Sequence, residues 1–259
     1  MNTFLAFTKI SFKANFTYRS SAFLGLIGAV ISVLVQLAIW AYIFRNDLNQ
    51  MKYMMAYLVL SQFLIQLFYN SITGEVANKI SSGAFTTDLI KPVNLILVYW
   101  GPATGTTLAN MLIRGLPLLV ILSPLLVNVV HVDLVKAIIF LCICFVAYLI
   151  ASSIYILTGF LAFITTEAGW FPRILADTVS FFSGAIIPLA FFPDWLAFIT
   201  KLLPFHLMIS FPIRFLLEDL PPHEIVLNLA LLAGWLVFFV CLTQFTYQRA
   251  VWRCVVQGG

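Results

Sequence analysis

The sequence predicts an all-α integral membrane protein of six transmembrane helices, and three observations carry that reading. First, 62% of the residues are hydrophobic and 9% charged. A soluble domain carries about 25% charged residues, so this chain cannot clothe itself in a water-facing surface and the bilayer must be its main solvent. Second, the apolar residues fall in runs that match the roughly 20 residues a spanning helix needs. Third, the segments flanking the first and last runs are basic and carry no acid, with Lys9, Lys13 and Arg19 before the first and Arg249 and Arg253 after the last. An even number of spans puts both on one side, and the preference of Lys and Arg for the inner side makes that side the cytoplasm.

The elements run in order within a single transmembrane domain, 1–259. In 1–20, Phe4, Leu5, Phe7, Ile10, Phe12 and Phe16 alternate with Lys9, Lys13 and Asn15. That pattern predicts an amphipathic helix in the membrane interface, its lysines near anionic headgroups. The spans are expected near 21–44, 53–73, 98–128, 137–165, 174–192 and 225–247. The first is too long for a signal-peptide core and has no small-residue cleavage site behind it. Between the last two, 193–224 is apolar but interrupted by Lys201, His206 and Arg214, and Pro204 and Pro212 each remove a helix hydrogen bond. Such a stretch suits short re-entrant helices packed against protein on the outer side. The inner set of Lys and Arg then outnumbers the outer set of Arg45, Lys52, Lys136, Lys201 and Arg214.

The bridge 74–97 is the most polar internal stretch. Glu75 and Lys79 stand four residues apart, in the favourable order for a helical ion pair. Ile72, Val76 and Ile80 repeat on another face. Gly83 permits a break. The expectation is a short helix continuing from the second span, a turn at Ser81–Gly83, then a second short element with Phe85 and Leu89 that Pro92 terminates. By composition the bridge is either an ordered loop or a docking element for a soluble partner.

Glu75-Val-Ala-Asn-Lys-Ile-Ser-Ser-Gly with Asp88-Leu-Ile-Lys-Pro-Val-Asn after it resembles the cytoplasmic loop of the type-2 ABC exporter permeases. Leu203-Pro-Phe with Phe211-Pro, and Gln257-Gly-Gly after Arg249 and Arg253, resemble two further features of that family in the right order. The chain departs from the pattern at Lys79 and at 84–87, where an arginine and a longer basic stretch are common. The resemblance implies a permease subunit of an ATP-driven exporter of hydrophobic or amphipathic molecules: lipid, peptide, antibiotic or lipid-linked glycan. It implies a coupling element comprising Glu75, Val76, Lys79, Ile80, Gly83, Phe85, Asp88, Leu89, Lys91 and Pro92. It implies two copies of a separate ABC ATPase, and a second permease, identical or homologous. It also implies a bacterial cell membrane, alternating access, and a path lined by the second and fifth spans. The chain has no GxxxxGK[ST] phosphate-cradling loop, so it is read as no enzyme itself: it binds no cofactor, and ATP and Mg sit on the partner ATPase.

Other residues weigh less. Arg114 stands in the third run, where a bare charge costs at least ~2.5 kcal/mol; it either lines the path or bonds carbonyls freed by Pro117. Gly101, Gly105 and Ala109, and likewise Ser180, Gly184 and Pro188, form small-residue stripes that allow close helix packing. Glu167, Arg173 and Asp177 cluster at an inner turn, where Glu167 and Arg173 are a second candidate contact for the ATPase. The four cysteines and three histidines show neither disulfide nor metal spacing. There is no basic run for nucleic acid. A secondary transporter would carry several ionisable groups within its spans, and an intramembrane enzyme would need a catalytic set at one depth. Neither pattern is present, which leaves a non-transporting assembly subunit as the alternative.

Overall fold

The structure is a computed structural model that describes residues 3–16, 19–68, 72–89, 95–127, 129, 133–163 and 170–257. The side chains of 19–22, 88–89, 95–97, 171 and 250–257 are left out of that description. The described residues are mostly helical, with no strand among them. Among them, five stretches are long and apolar enough to cross a bilayer: Phe23–Ile43, Leu48–Ser81, Val98–Leu125, Leu134–Phe163 and Pro222–Arg249.

Helix α1 (Thr3–Asn15) precedes α2 (Arg19–Ile43). Phe4, Phe7, Thr8, Ser11, Phe12 and Asn15 of α1 share one face by their three- and four-residue spacing. That face lies on α6 (Leu95–Asn110). Phe4 and Phe7 meet Gly101; Thr8, Ser11 and Phe12 meet Gly105. Asn15 Nδ2 donates to Thr106 Oγ1 at 3.3 Å. Contacts advancing in step along both helices mean that α1 runs alongside α6, whereas a helix crossing it would touch at one point. The expected helix is present, but the glycine stripe of the third run holds it lengthwise against the bundle.

Helix α3 (Leu48–Phe68) is the central element. Its buried residues run through every turn from Met54 to Phe68. The third run is built in pieces. Helix α6 ends in a π-helical turn at Met111–Gly115, with α7 (Leu116–Leu122) beyond it. Pro117 explains the irregularity, since its ring cannot accept the regular ladder from the preceding turn. Helix α8 (Leu134–Phe160) is continuous. It starts where the Asp133 side chain accepts from the Lys136 N–H at 2.6 Å, a standard N-terminal cap.

The expected fifth span, 174–192, is not one helix. Helix α9 (Phe171–Phe182) has 12 residues, about 18 Å at 1.5 Å per residue, too short for the roughly 30 Å hydrocarbon layer. It ends in a Schellman turn: Gly184 takes φ +80, Gly184 N–H bonds Phe181 O and Ala185 N–H bonds Ser180 O. The Ser180–Gly184–Pro188 stripe therefore does not lie on a helix face. Short pieces come next, namely α10 (Asp194–Leu202), a 3₁₀ turn at Pro204–Leu207 and α11 (Ser210–Leu217). Pro212 falls in the first turn of α11, where its missing N–H has no partner to lose. Leu207, Met208, Ile209 and Ile213 are buried, in keeping with short helices packed on protein. The chain still passes from one end of α3 to the other, because α9 packs on α8 and the element after α3 while Glu218 meets Tyr53. Helix α12 (Pro222–Gln257) then packs along α8.

Candidate functional site

The polar bridge folds as α4 (Ile72–Ser81), a turn in which Gly83 takes φ +73, and α5 (Phe85–Leu89). Helix, break and second helix fall where the residue pattern puts them. Helix α4 buries Ile72, Thr73, Val76 and Ala77. The four-residue spacing of Ile72 and Val76 supplies that face, and Glu75 in the first turn suits the positive end of the helix.

What the buried face touches was not visible in the sequence. Thr73 Oγ1 donates to Tyr155 O of α8 at 2.9 Å. Val76 lies so close to Gly159 that a Cβ on that glycine would stand 2.7 Å from Val76 Cβ. Phe85 is 1% exposed and meets the rings of Phe160 and Phe163 edge-on, at 6.2 and 5.2 Å between centroids. Edge-to-face aromatic pairs contribute about 0.5–1.5 kcal/mol beyond burial. Both short helices are thus fastened to the end of α8. Lys79 Nζ lies 4.9 Å from the centre of the Tyr99 ring, which ties α4 to the start of α6 as well.

The opposite surface is open and polar: Glu75, Asn78, Ser81, Ser82, Thr86 and Thr87 are exposed. Ile80 and Lys79 are half-buried at its edge and Gly83 is exposed. Asp88 and Leu89 belong to α5, with their side chains outside the description. Lys91 and Pro92 lie outside the described residues. Of the second candidate contact, Glu167 also lies outside them; Arg173 and Asp177 are exposed on α9, which packs against α8 and α4. The only sequence trace of the α8 anchor is the lone glycine at 159 among bulky neighbours, and an isolated glycine in a helical run often marks close packing.

Arg114 points at α2. A Cβ on Gly25 would meet its Cζ at 2.5 Å and Nη2 at 2.8 Å. Its guanidinium is therefore seated on a neighbouring helix and faces protein rather than lipid.

A second polar cluster sits at the other end of α3; only its Arg214–Glu218 pair stands at a helical i,i+4 spacing in the sequence. Arg214 Nε donates to Glu218 Oε2 at 3.0 Å, and its Nη1 to Glu224 Oε1 at 2.7 Å. Tyr53 Oη donates to Glu218 Oε1 at 2.5 Å. Asn228 Nδ2 donates to Glu224 O at 2.8 Å and its Oδ1 lies 3.3 Å from His206 Nε2. The cluster clasps α3, α11 and α12 together. Deeper in, Tyr57 Oη donates to Gly184 O at 3.0 Å and Ser61 Oγ to Ala185 O at 3.2 Å, holding the break after α9. Replacing Arg214 with Met is expected to cost about 1–2 kcal/mol, the worth of a charged hydrogen bond discounted for a side chain one-third exposed. Arg214→Lys should lose less, because it keeps the charge and gives up only the fork. Thermal unfolding of the solubilised protein checks the order, and equal losses for both variants would refute it.

The model of a family described as ABC-2 family transporter protein matches residues 30–258, from the middle of α2 to the penultimate residue. No curated protein matches the chain.

Proposed function

The chain belongs to the ABC-2 family of transporter membrane proteins, and from that premise we propose that it is the permease subunit of an exporter driven by a separate ATPase. Members of this family are in general non-catalytic, multi-pass membrane subunits that work with an ABC ATPase. In the proposed complex two ATPase subunits carry ATP and Mg, a second permease completes the path, and this chain contributes no catalytic residue. The transported molecule is hydrophobic or amphipathic and leaves the cytoplasm or inner leaflet of a bacterial cell membrane. Both ends of the chain lie in the cytoplasm, and the fifth pass is made by α9 and the short helices after it.

The observation that carries the docking role is the two-sided build of α4 and α5. Their apolar roots are locked to the end of α8, and their exposed surface is polar. A load applied to that surface reaches α8 through Val76–Gly159 and through the Phe85 rings, and reaches α6 through Lys79. A loop serving only as a connection needs no such anchorage. Alternating access then proceeds in three linked motions: nucleotide binding draws the ATPases together, α4 and α5 move with them, and α8 and α6 shift in the bilayer.

Charge placed on the open face tests the role. Asn78→Arg combined with Thr86→Arg changes exposed side chains only, so the permease should still reach the membrane and resist heat as before. The ATPase is expected to co-purify at least about tenfold less, as loss of about 1.4 kcal/mol implies. Undiminished co-purification with unchanged ATP hydrolysis would remove α4 and α5 as the docking element. Absence of any ATPase in the wild-type preparation would instead favour an assembly subunit.

A further inference from the structure

One face of α6 carries Trp100, Thr104 and Thr107 at helical spacing, with Asn110 a turn further on at its edge. Thr104 Oγ1 meets Tyr148 Oη of α8 at 3.1 Å. Helices α6 and α8 run in opposite directions, since α4 touches Tyr99 near the start of one and Gly159 near the end of the other. One turn nearer α4, Trp100 is therefore level with Ser152.

This seam is polar and unsatisfied. Trp100 Nε1, Thr107 Oγ1, Asn110 Nδ2 and Ser152 Oγ are all buried without a hydrogen-bond partner among the described residues. Thr107, Asn110 and Ser152 are 3%, 6% and 0% exposed. Buried groups in native proteins are nearly always paired, and each exception calls for a reason. Phe, Val and Ala would fill the same volumes with no desolvation cost. The seam also lies where α6 is least regular: Pro102 interrupts its ladder within the first two turns, and the π-helical turn begins directly after Asn110. Proline and π-bulges are the places where helices bend.

We propose that the α6–α8 seam is the closed form of a track that receives the uncharged polar part of the transported molecule. This rests on the permease reading above and adds α6 and α8 to the second and fifth spans as path-lining elements. No Asp, Glu, Lys or Arg falls within Trp100–Asn110 or Cys144–Ser152; Arg114, a turn beyond Asn110, lies against Gly25 of α2. Its indole and amide N–H groups donate, and its hydroxyls both donate and accept. That set suits hydroxyl, ester or amide groups, as in a glycan or peptide backbone, and offers no countercharge to a phosphate or an ammonium group.

The test uses the permease with its ATPase in native membranes, after replacing Cys142, Cys144, Cys241 and Cys254. Thr107→Cys and Ser152→Cys are introduced singly, with Ile150→Cys as a buried apolar control. Each is treated with a small charged thiol reagent, without nucleotide and with ATP plus vanadate. Labelling at 107 and 152 is expected to be at least tenfold faster in one nucleotide state than in the other, with 150 silent in both. Octyl glucoside below its micellar concentration, a probe with an uncharged polyol head, should slow that labelling several-fold, whereas octyltrimethylammonium should not. Silence at 107 and 152 in both states, while the ATPase co-purifies and hydrolyses ATP, overturns the track and leaves the permease reading standing. Labelling that neither probe slows, or that both slow equally, overturns the assigned ligand class in favour of water alone. A Trp100→Phe/Thr107→Val/Ser152→Ala variant that melts higher and keeps its nucleotide-dependent response would show a packing fault and overturn the proposal as well.

Discussion

Phe85→Ala is expected to free α5 from the bundle while α4 stays docked. Phe85 is 1% exposed, and its neighbours Phe160 and Phe163 sit on the last turn of α8 and the 3₁₀ turn after it. Removing a buried phenylalanine costs about 3–5 kcal/mol, more than a five-residue helix can recover from its own hydrogen bonds. Ile72, Val76 and the Thr73–Tyr155 bond still hold α4. The ATPase should therefore bind through the polar face but no longer drive α8. The expected signature is co-purification within about twofold of wild type, together with loss of the permease's influence on ATP hydrolysis and proteolytic cleavage near 82–89. Phe85→Leu, which keeps most of the buried volume, should restore a good part of both. Wild-type coupling in Phe85→Ala would mean that α5 transmits nothing.

Gly105→Val is expected to unseat α1. A Cβ at 105 would overlap the Thr8 carbonyl oxygen and come within 2.8 Å of Phe12 N and 3.0 Å of Ser11 Cβ. The first two are backbone atoms, which cannot swing aside as the tip of a long side chain can. Overpacking of this kind costs about 1–3 kcal/mol, and here the strain falls on a single contact between two helices. Amide exchange of 3–15 should accelerate about 10- to 100-fold, each factor of ten answering to about 1.4 kcal/mol, with α3 and α8 unaffected. Gly28→Val on α2 is the control, since nothing lies within 4 Å of a Cβ there. Equal protection of 3–15 in both variants would show that the glycine seat does not hold the helix.

The helix pair α4 and α5 was legible because its signals are local. The four-residue spacing of Ile72 and Val76, the positive-φ glycine at 83 and the aromatic at 85 define helix, turn and helix within twenty residues. The break after α9 was written in the chain as well, in Gly184 and in Pro188 four residues later, but the apolar composition of 174–192 masked it. Hydropathy counts transfer energy and is blind to backbone conformation, so an interrupted apolar segment reads like a continuous one. The Arg214 clasp was beyond reach for another reason. Tyr53 lies 165 positions from Glu218, and no spacing rule reaches across such a separation.

The amino-acid sequence alone determined the membrane class, the approximate positions of the long apolar helices and the two-sided pattern of 72–89. These depend on composition and short-range periodicity, which act before any tertiary contact forms. Only the tertiary structure decided that α1 lies along α6, that Gly159 receives Val76, that Arg214 ties Glu218 to Glu224, and that Thr104 of α6 meets Tyr148 of α8. In a bilayer every helix is apolar toward its surroundings, so hydrophobicity does not select partners. That choice falls to close backbone approach at glycines and to a few hydrogen bonds, both of which exist only once the helices have met.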